Sequence, residues 1–270
     1  MNTSTALAAA TLSGPSAVSV NLEHDLDKRP ANADEALRVL LRGNQRFVSA
    51  QQLRPHQTPQ HRLGVTRAQH PSAVIITCAD SRVSPVLIFD HGLGDLFVLR
   101  VAGNIVDTSV LASIEYAVVE LGAPLVMVLG HEHCGAVKAT LNVLDNQLTL
   151  PGHLNVIVNS IRPAVQHIHA GSDEQRLHKA VEANARMVAR QIQDCEPLLT
   201  QRVREGKLRV CSAIYDLTTG KVNLLSEDQP RMNYGASRST STLRQSWSFQ
   251  SHQSKIMYQP LRLYSYGHRQ

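Results

Sequence analysis

The sequence predicts an α/β fold: a mostly parallel sheet flanked by helices, with an N-terminal helical arm. Three observations predict it. The apolar runs at 73–77, 96–101 and 125–129 are short and nearly continuous, as strands covered on both faces are. Stretches of helical period separate them, and that alternation is the signature of parallel strands joined by crossover helices. The chain has 270 residues and is 43% hydrophobic, enough for one sizeable core. No apolar run approaches the ~18 residues that would suggest a membrane span.

Residues 1–31 open on small residues, with no Lys or Arg up to Val20. A secretory leader wants a positive start and a clear apolar centre. Neither is present, so a disordered N-terminus and a cytoplasmic location are expected. A periplasmic location is the alternative if Ala8–Ala10 and Ala17–Val20 are the remnant of a leader.

Asn32 to Gln51 reads as the first helix. Asn32 or Asp34 can cap it, and Leu37, Leu40, Leu41, Asn44 and Phe47 recur at helical spacing. Residues 52–60 form a loop, and 61–70 a short helix or turn that Pro71 ends. Ala73–Thr77 is the first strand, and a turn and helix begin near Ser84 and Pro85. Leu96–Val101 is the second strand, after a turn at 92–94. A helix over Asp107–Leu121 has Asp107 or Thr108 as its cap and Gly122 as its stop. Leu125–Leu129 is the third strand, and a helix follows from Gly135 to about Val143. Further helices span Asn155–Val165, the long Asp173–Cys195 and a segment from Pro197 to about Arg204. Lys207–Tyr215 is a fourth strand. Thr218–Gly220 makes a hairpin turn, and Lys221–Leu225 returns as a short strand. One domain over 32–225 accounts for all of this.

The net charge of +5 sits mostly in the tail. Residues 226–270 hold six Lys/Arg and two Asp/Glu, so the rest of the chain is close to neutral. A nucleic-acid partner would leave a basic stripe with interleaved aromatics on the domain, and none is present. The tail is rich in Ser, Gln and Arg yet carries six of the eleven aromatics, and is expected to be a mostly disordered basic segment.

Two clusters carry chemistry. Cys78-Ala79-Asp80-Ser81-Arg82 follows the first strand, and Gly130-His131-Glu132-His133-Cys134-Gly135 follows the third. Doubly wound sheets place their sites beyond the carboxyl ends of strands. Zn²⁺ favours four ligands drawn from thiolate, imidazole and carboxylate, and keeps one position open when it is catalytic. Cys78, His131 and Cys134 supply three. The last two are three residues apart, so one turn can aim both at the same metal. Asp80 takes the fourth place or leaves it to water. His133 is a rival ligand with a poorer offset from Cys134. Free cysteines are often just small buried hydrophobes, the reading that suits Cys195 and Cys211. Two motifs that each follow a strand favour metal for the other pair. Asp80 and Arg82, two residues apart, can form a bidentate ion pair beside the metal.

Cys-Ala-Asp-Ser-Arg-Val at 78–83, Gly-Asp-Leu-Phe-Val-Leu-Arg-Val-Ala-Gly-Asn at 94–104 and His-x-x-Cys-Gly at 131–135 resemble the β-class carbonic anhydrases over about residues 32–225. The resemblance implies one Zn²⁺ per subunit on Cys78, His131 and Cys134, with Asp80 as fourth ligand or as partner of Arg82. It implies reversible hydration of carbon dioxide to bicarbonate and a proton by a zinc-bound hydroxide, with Asp80 and Arg82 as catalytic residues. It also implies a homodimer or higher homo-oligomer acting on a small molecule, with no membrane partner. Gln69, Phe97 and Tyr116 match the substrate pocket of the plant-like group. Arg100 and Tyr116 match two residues of the bicarbonate-controlled group, but Ile75 stands where that group has Trp, so the plant-like, open site is expected. His91 stands where many relatives carry Gln and has no explanation at this level. Two rivals are hydrolysis of carbon disulfide or carbonyl sulfide on the same fold, and a non-catalytic zinc-stabilised binding module. Asp80 and Arg82 argue against the module, since a purely structural site needs neither.

Overall fold

The computed structural model describes residues 28–225. The expectations for residues 1–27 and for the tail from 226 lie outside the described residues. Five strands form one sheet in the order β2-β1-β3-β4-β5. These are β1 (Ala73–Thr77), β2 (Leu96–Arg100), β3 (Leu125–His131), β4 (Arg209–Tyr215) and β5 (Val222–Leu224). The first four are parallel, and β5 runs antiparallel to β4. β1 and β3 are buried at every position, which is why their sequences are continuous apolar runs.

The pleat divides the strand residues between two layers of helix. Ala73, Ile75, Leu125, Met127, Leu129, Cys211 and Ala213 face one side, beneath α1 (Ala33–Val48) and α3 (Pro85–Ile88). Val74, Ile76, Val126, Val128, Val210 and Ile214 face the other. There they meet α4 (Thr108–Val119), α5 (Gly135–Asn146), α6 (Leu154–Val165) and α7 (Asp173–Gln193), with α8 (Leu198–Arg204) at the end. A short α2 (Pro59–Gly64) lies between α1 and β1.

The N-terminal helix, expected as an arm, packs on its own sheet through Ala36, Leu37 and Leu40. Asn32 caps it by accepting from the Glu35 N–H at 2.9 Å. Asn44 lies on the buried face of α1 but acts as a polar tie. Its amide donates to the Ile88 and Gly220 carbonyls, and its Oδ1 accepts from the Val222 N–H at 2.9 Å. Gly43 is where α1 touches the chain after α3: a Cβ there would stand 1.8 Å from the Phe89 carbonyl oxygen. Phe89 is fully buried at that contact. Phe89→Ala is expected to lower stability by about 3–5 kcal/mol, read as a fall in the urea midpoint at unchanged slope.

Helix ends differ modestly from expectation. The segment expected as a helix or turn at 61–70 is helical instead over Pro59–Gly64, because Thr58 caps it and Pro59 occupies its first turn. Asp107 caps α4 by accepting from the Val110 N–H. α5 continues past Val143 to Asn146 and stops at left-handed Gln147. α7 ends two residues early, at Gln193, and carries a capping box between Ser172 and Gln175.

The strand order places the site. From β1 the chain moves to one neighbour, β2, and then crosses back past β1 to β3 and β4. The connections leaving β1 and β3 therefore diverge, and a crevice opens between their carboxyl ends. Cys78 directly follows β1, and His131 is the last residue of β3.

Candidate metal centre

Cys78, His131 and Cys134 are all buried, and their ligand atoms lie within 4.8 Å of one another. Tetrahedral zinc with S and N ligands at ~2.3 and ~2.0 Å needs separations of roughly 3.5–4 Å, which lie within this spacing. His131 makes the strongest case for a metal. Its Nδ1–H donates to the Glu132 carbonyl at 2.8 Å, which turns the lone pair of Nε2 inward. That Nε2 is buried without a hydrogen-bond partner. A buried ring nitrogen with nothing to accept from is the atom a metal would satisfy.

Cys134 sits at the N-cap of α5, where the Ala136 and Val137 N–H groups face its sulfur. A hydrogen bond from Cys134, helped by the Gly103 N–H, holds the Cys78 thiol down at about 4 despite burial. The neighbouring Cys78 thiolate and burial push Cys134 up. This is a donor set of two soft sulfurs and one imidazole, the chemistry that zinc selects.

Asp80 is paired with Arg82. The guanidinium meets both carboxylate oxygens, Nε at 2.9 Å and Nη2 at 2.8 Å, and the Arg82 backbone N–H adds a third bond at 3.0 Å. Arg82 thereby holds the Asp80 carboxyl well below the usual range. One Asp80 oxygen stands 3.9 Å from His131 Nε2, beside the cluster rather than in it.

Arg100, at the carboxyl end of β2, fixes the same loop from the other side. Its guanidinium donates to the Asp80 carbonyl at 2.6 Å and the Cys78 carbonyl at 3.4 Å. On the sequence it stood out only as a pocket match. Gly103, in the short 3₁₀ turn Ala102–Asn104, sends its N–H to Cys78 Sγ at 3.3 Å.

Gln69, Phe97 and Tyr116 do not meet the cluster within one chain. Gln69 is exposed and precedes the amino end of β1, whereas Cys78 follows its carboxyl end. Phe97 pairs with Val74, four residues before Cys78, which is about 13 Å along a strand. Tyr116 is 44% exposed and keeps company with Phe97, ring centres 6.4 Å apart. Sequence spacing carries no register, so this separation was not visible in it. His133 is exposed and lies outside the cluster. His91 is buried and structural: its Nδ1–H donates to the Phe89 carbonyl at 2.6 Å, and burial lowers its pKa. Cys211 is buried as expected, while Cys195 is half-buried beside Glu115.

Comparison with known proteins agrees with this geometry. A family model described as carbonic anhydrase matches residues 73–222. A carbonic anhydrase of Mycolicibacterium smegmatis is 39% identical over 73% of this chain and 95% of its own length. Carbonic anhydrase 2 of Mycobacterium tuberculosis is 40% identical over 72% of this chain and 93% of its own. Among solved structures, a Coccomyxa β-carbonic anhydrase in complex with acetazolamide superposes with a TM-score of 0.54 at 30% identity, covering 60% of this chain and 75% of that one. The fold, the buried cysteine–histidine–cysteine cluster at the switch point and these matches agree, and the chain belongs to the β-class carbonic anhydrase family.

Proposed function

We propose that the protein catalyses the reversible hydration of carbon dioxide to bicarbonate and a proton, with one Zn²⁺ per subunit held by Cys78, His131 and Cys134. The observation that carries this is the buried, unpartnered His131 Nε2 between two sulfurs, with a bidentate Asp80–Arg82 pair at its edge. Bound there, Zn²⁺ supplies Lewis acidity that makes a coordinated water easier to deprotonate.

The chain's own residues do the rest. Arg82 occupies both oxygens of Asp80 and so keeps this carboxylate from closing the fourth position. The Asp80–Arg82 pair supports the open site that the resemblance to the plant-like group implies. Asp80 remains an anion with lone pairs directed at the edge of the cluster. It accepts a hydrogen bond from the reacting water and turns that water's oxygen toward the carbon of CO₂. Arg100 holds the Cys78 and Asp80 carbonyls, so the ligand and the orienting carboxylate move as one unit.

In this reading Gln69, Phe97 and Tyr116 serve a partner's pocket in a homodimer. β2 is an edge strand and Phe97 and Tyr116 are only partly covered, so they are available to a second copy.

Hydration should rise with pH through the neutral-to-alkaline range. Asp80 cannot supply that rise. Its folded pKa lies below the ~3.9 of an unperturbed Asp, so its stabilising pair is fully present above that value and is lost only as pH falls through the folded pKa. The rise expected near neutrality therefore belongs to the reacting water rather than to Asp80. Stopped-flow hydration rates across that range test this, and a flat profile would contradict it.

A further inference from the structure

Asn184, on the buried face of α7, is 1% exposed and half-satisfied. Its Nδ2 donates to the Gly103 carbonyl at 2.9 Å, and its Oδ1 has no partner among the described residues. Turning the amide over would set Oδ1 against that carbonyl oxygen, so the orientation is fixed by Gly103. An apolar residue here would remove the unmet Oδ1 but would leave the buried Gly103 carbonyl without this donor. The amide is therefore explained by Gly103 rather than by the packing of the helix face.

Gly103 has a left-handed backbone, φ 72° and ψ 18°, inside the 3₁₀ turn. A Cβ there would stand 2.7 Å from Ile161 Cδ1 on α6 and 3.1 Å from Ala136 Cβ on α5. Its N–H points at Cys78 Sγ, 3.3 Å away. Asn184 thus grips the carbonyl of the residue whose N–H reaches a sulfur of the metal centre.

We propose that Asn184 is a positioning residue for the metal centre: by holding the Gly103 carbonyl it keeps the Gly103 N–H on Cys78 Sγ, which draws charge from that thiolate and moderates its donation to the bound metal. Outer-shell partners of this kind orient ligands and tune the metal. The inference rests on the reading of Cys78 as a metal ligand.

The test has two arms on full-length protein. In wild-type protein loaded with NMR-active cadmium, the Gly103 amide proton is expected to couple to the metal through the sulfur. The Asn184 side-chain nitrogen is expected to couple to the Gly103 carbonyl carbon. Absence of either coupling overturns the proposal, whatever any variant does. In cobalt-loaded protein, Asn184→Leu and the smaller Asn184→Ala should move the thiolate-to-cobalt charge-transfer band to longer wavelength, because the sulfur becomes more electron-rich. Val188→Ala, a buried truncation on the same helix, should lower the melting temperature and leave the band in place. Asn184 variants that lose stability but keep the wild-type band would show a merely structural role and overturn the proposal. Wild-type protein that takes up neither metal would overturn the metal-site reading along with it.

Discussion

Cys134→Ser should lose both the metal and the hydration activity. The thiolate is the form that binds zinc, and a serine hydroxyl stays protonated and neutral in a buried site. The fold gives no substitute. Cys134 is 1% exposed at the start of α5, and His133, the nearest alternative ligand in sequence, is exposed. Zinc content should fall from about one per chain toward none, and CO₂ hydration to the buffer background. The apo variant should still fold, because Cys134 is one small residue among the many that make up its core layer, and serine is close to it in size. Circular dichroism and metal analysis on one preparation check both halves. A Cys134→Ser protein with full zinc and full rate would remove Cys134 from the ligand set.

Asp80→Asn should keep zinc and lose most of the rate. The amide cannot accept both guanidinium bonds, since one of its two ends is now a donor facing the donors of Arg82. The bidentate clamp then opens, and the reacting water loses its orienting acceptor. Misplacing a reacting group by about 1 Å can cost on the order of 10²-fold, and a loss of that size is expected in kcat. The same variant should bind one zinc, because Asp80 stands outside the Cys–His–Cys cluster. An Asp80→Asn protein with the wild-type rate would show that the orienting role is wrong. One that loses zinc would show that Asp80 is itself a ligand.

Much of this was legible in the chain. The continuous apolar runs of β1 and β3 announced strands buried on both faces. Asp107 and Asn32 announced helix starts, and Cys-x-Asp-x-Arg with His-x-x-Cys announced a metal. The choice that spacing left open, Asp80 on zinc or on Arg82, is a matter of side-chain direction and is visible only in the geometry. The spacing of Asn44 fits an apolar stripe, whereas its amide closes a three-way tie between α1, α3 and β5. The Gly103 N–H and the Asn184 amide leave no trace in the sequence for another reason. A backbone donor has no residue signature, and Asn184 is 81 positions from its partner. The distance of Gln69, Phe97 and Tyr116 from the cluster depends on strand register, which no local pattern encodes.

The most direct test of the zinc-dependent reading is a single titration. The purified full-length protein is assayed for CO₂ hydration by stopped flow, stripped with a chelator, assayed again, and then given back Zn²⁺ while bound metal is counted. Activity should vanish with the metal and return in proportion to zinc, reaching its original value at about one per chain. Hydration that persists in the metal-free protein, or that fails to return when the site refills, would contradict it.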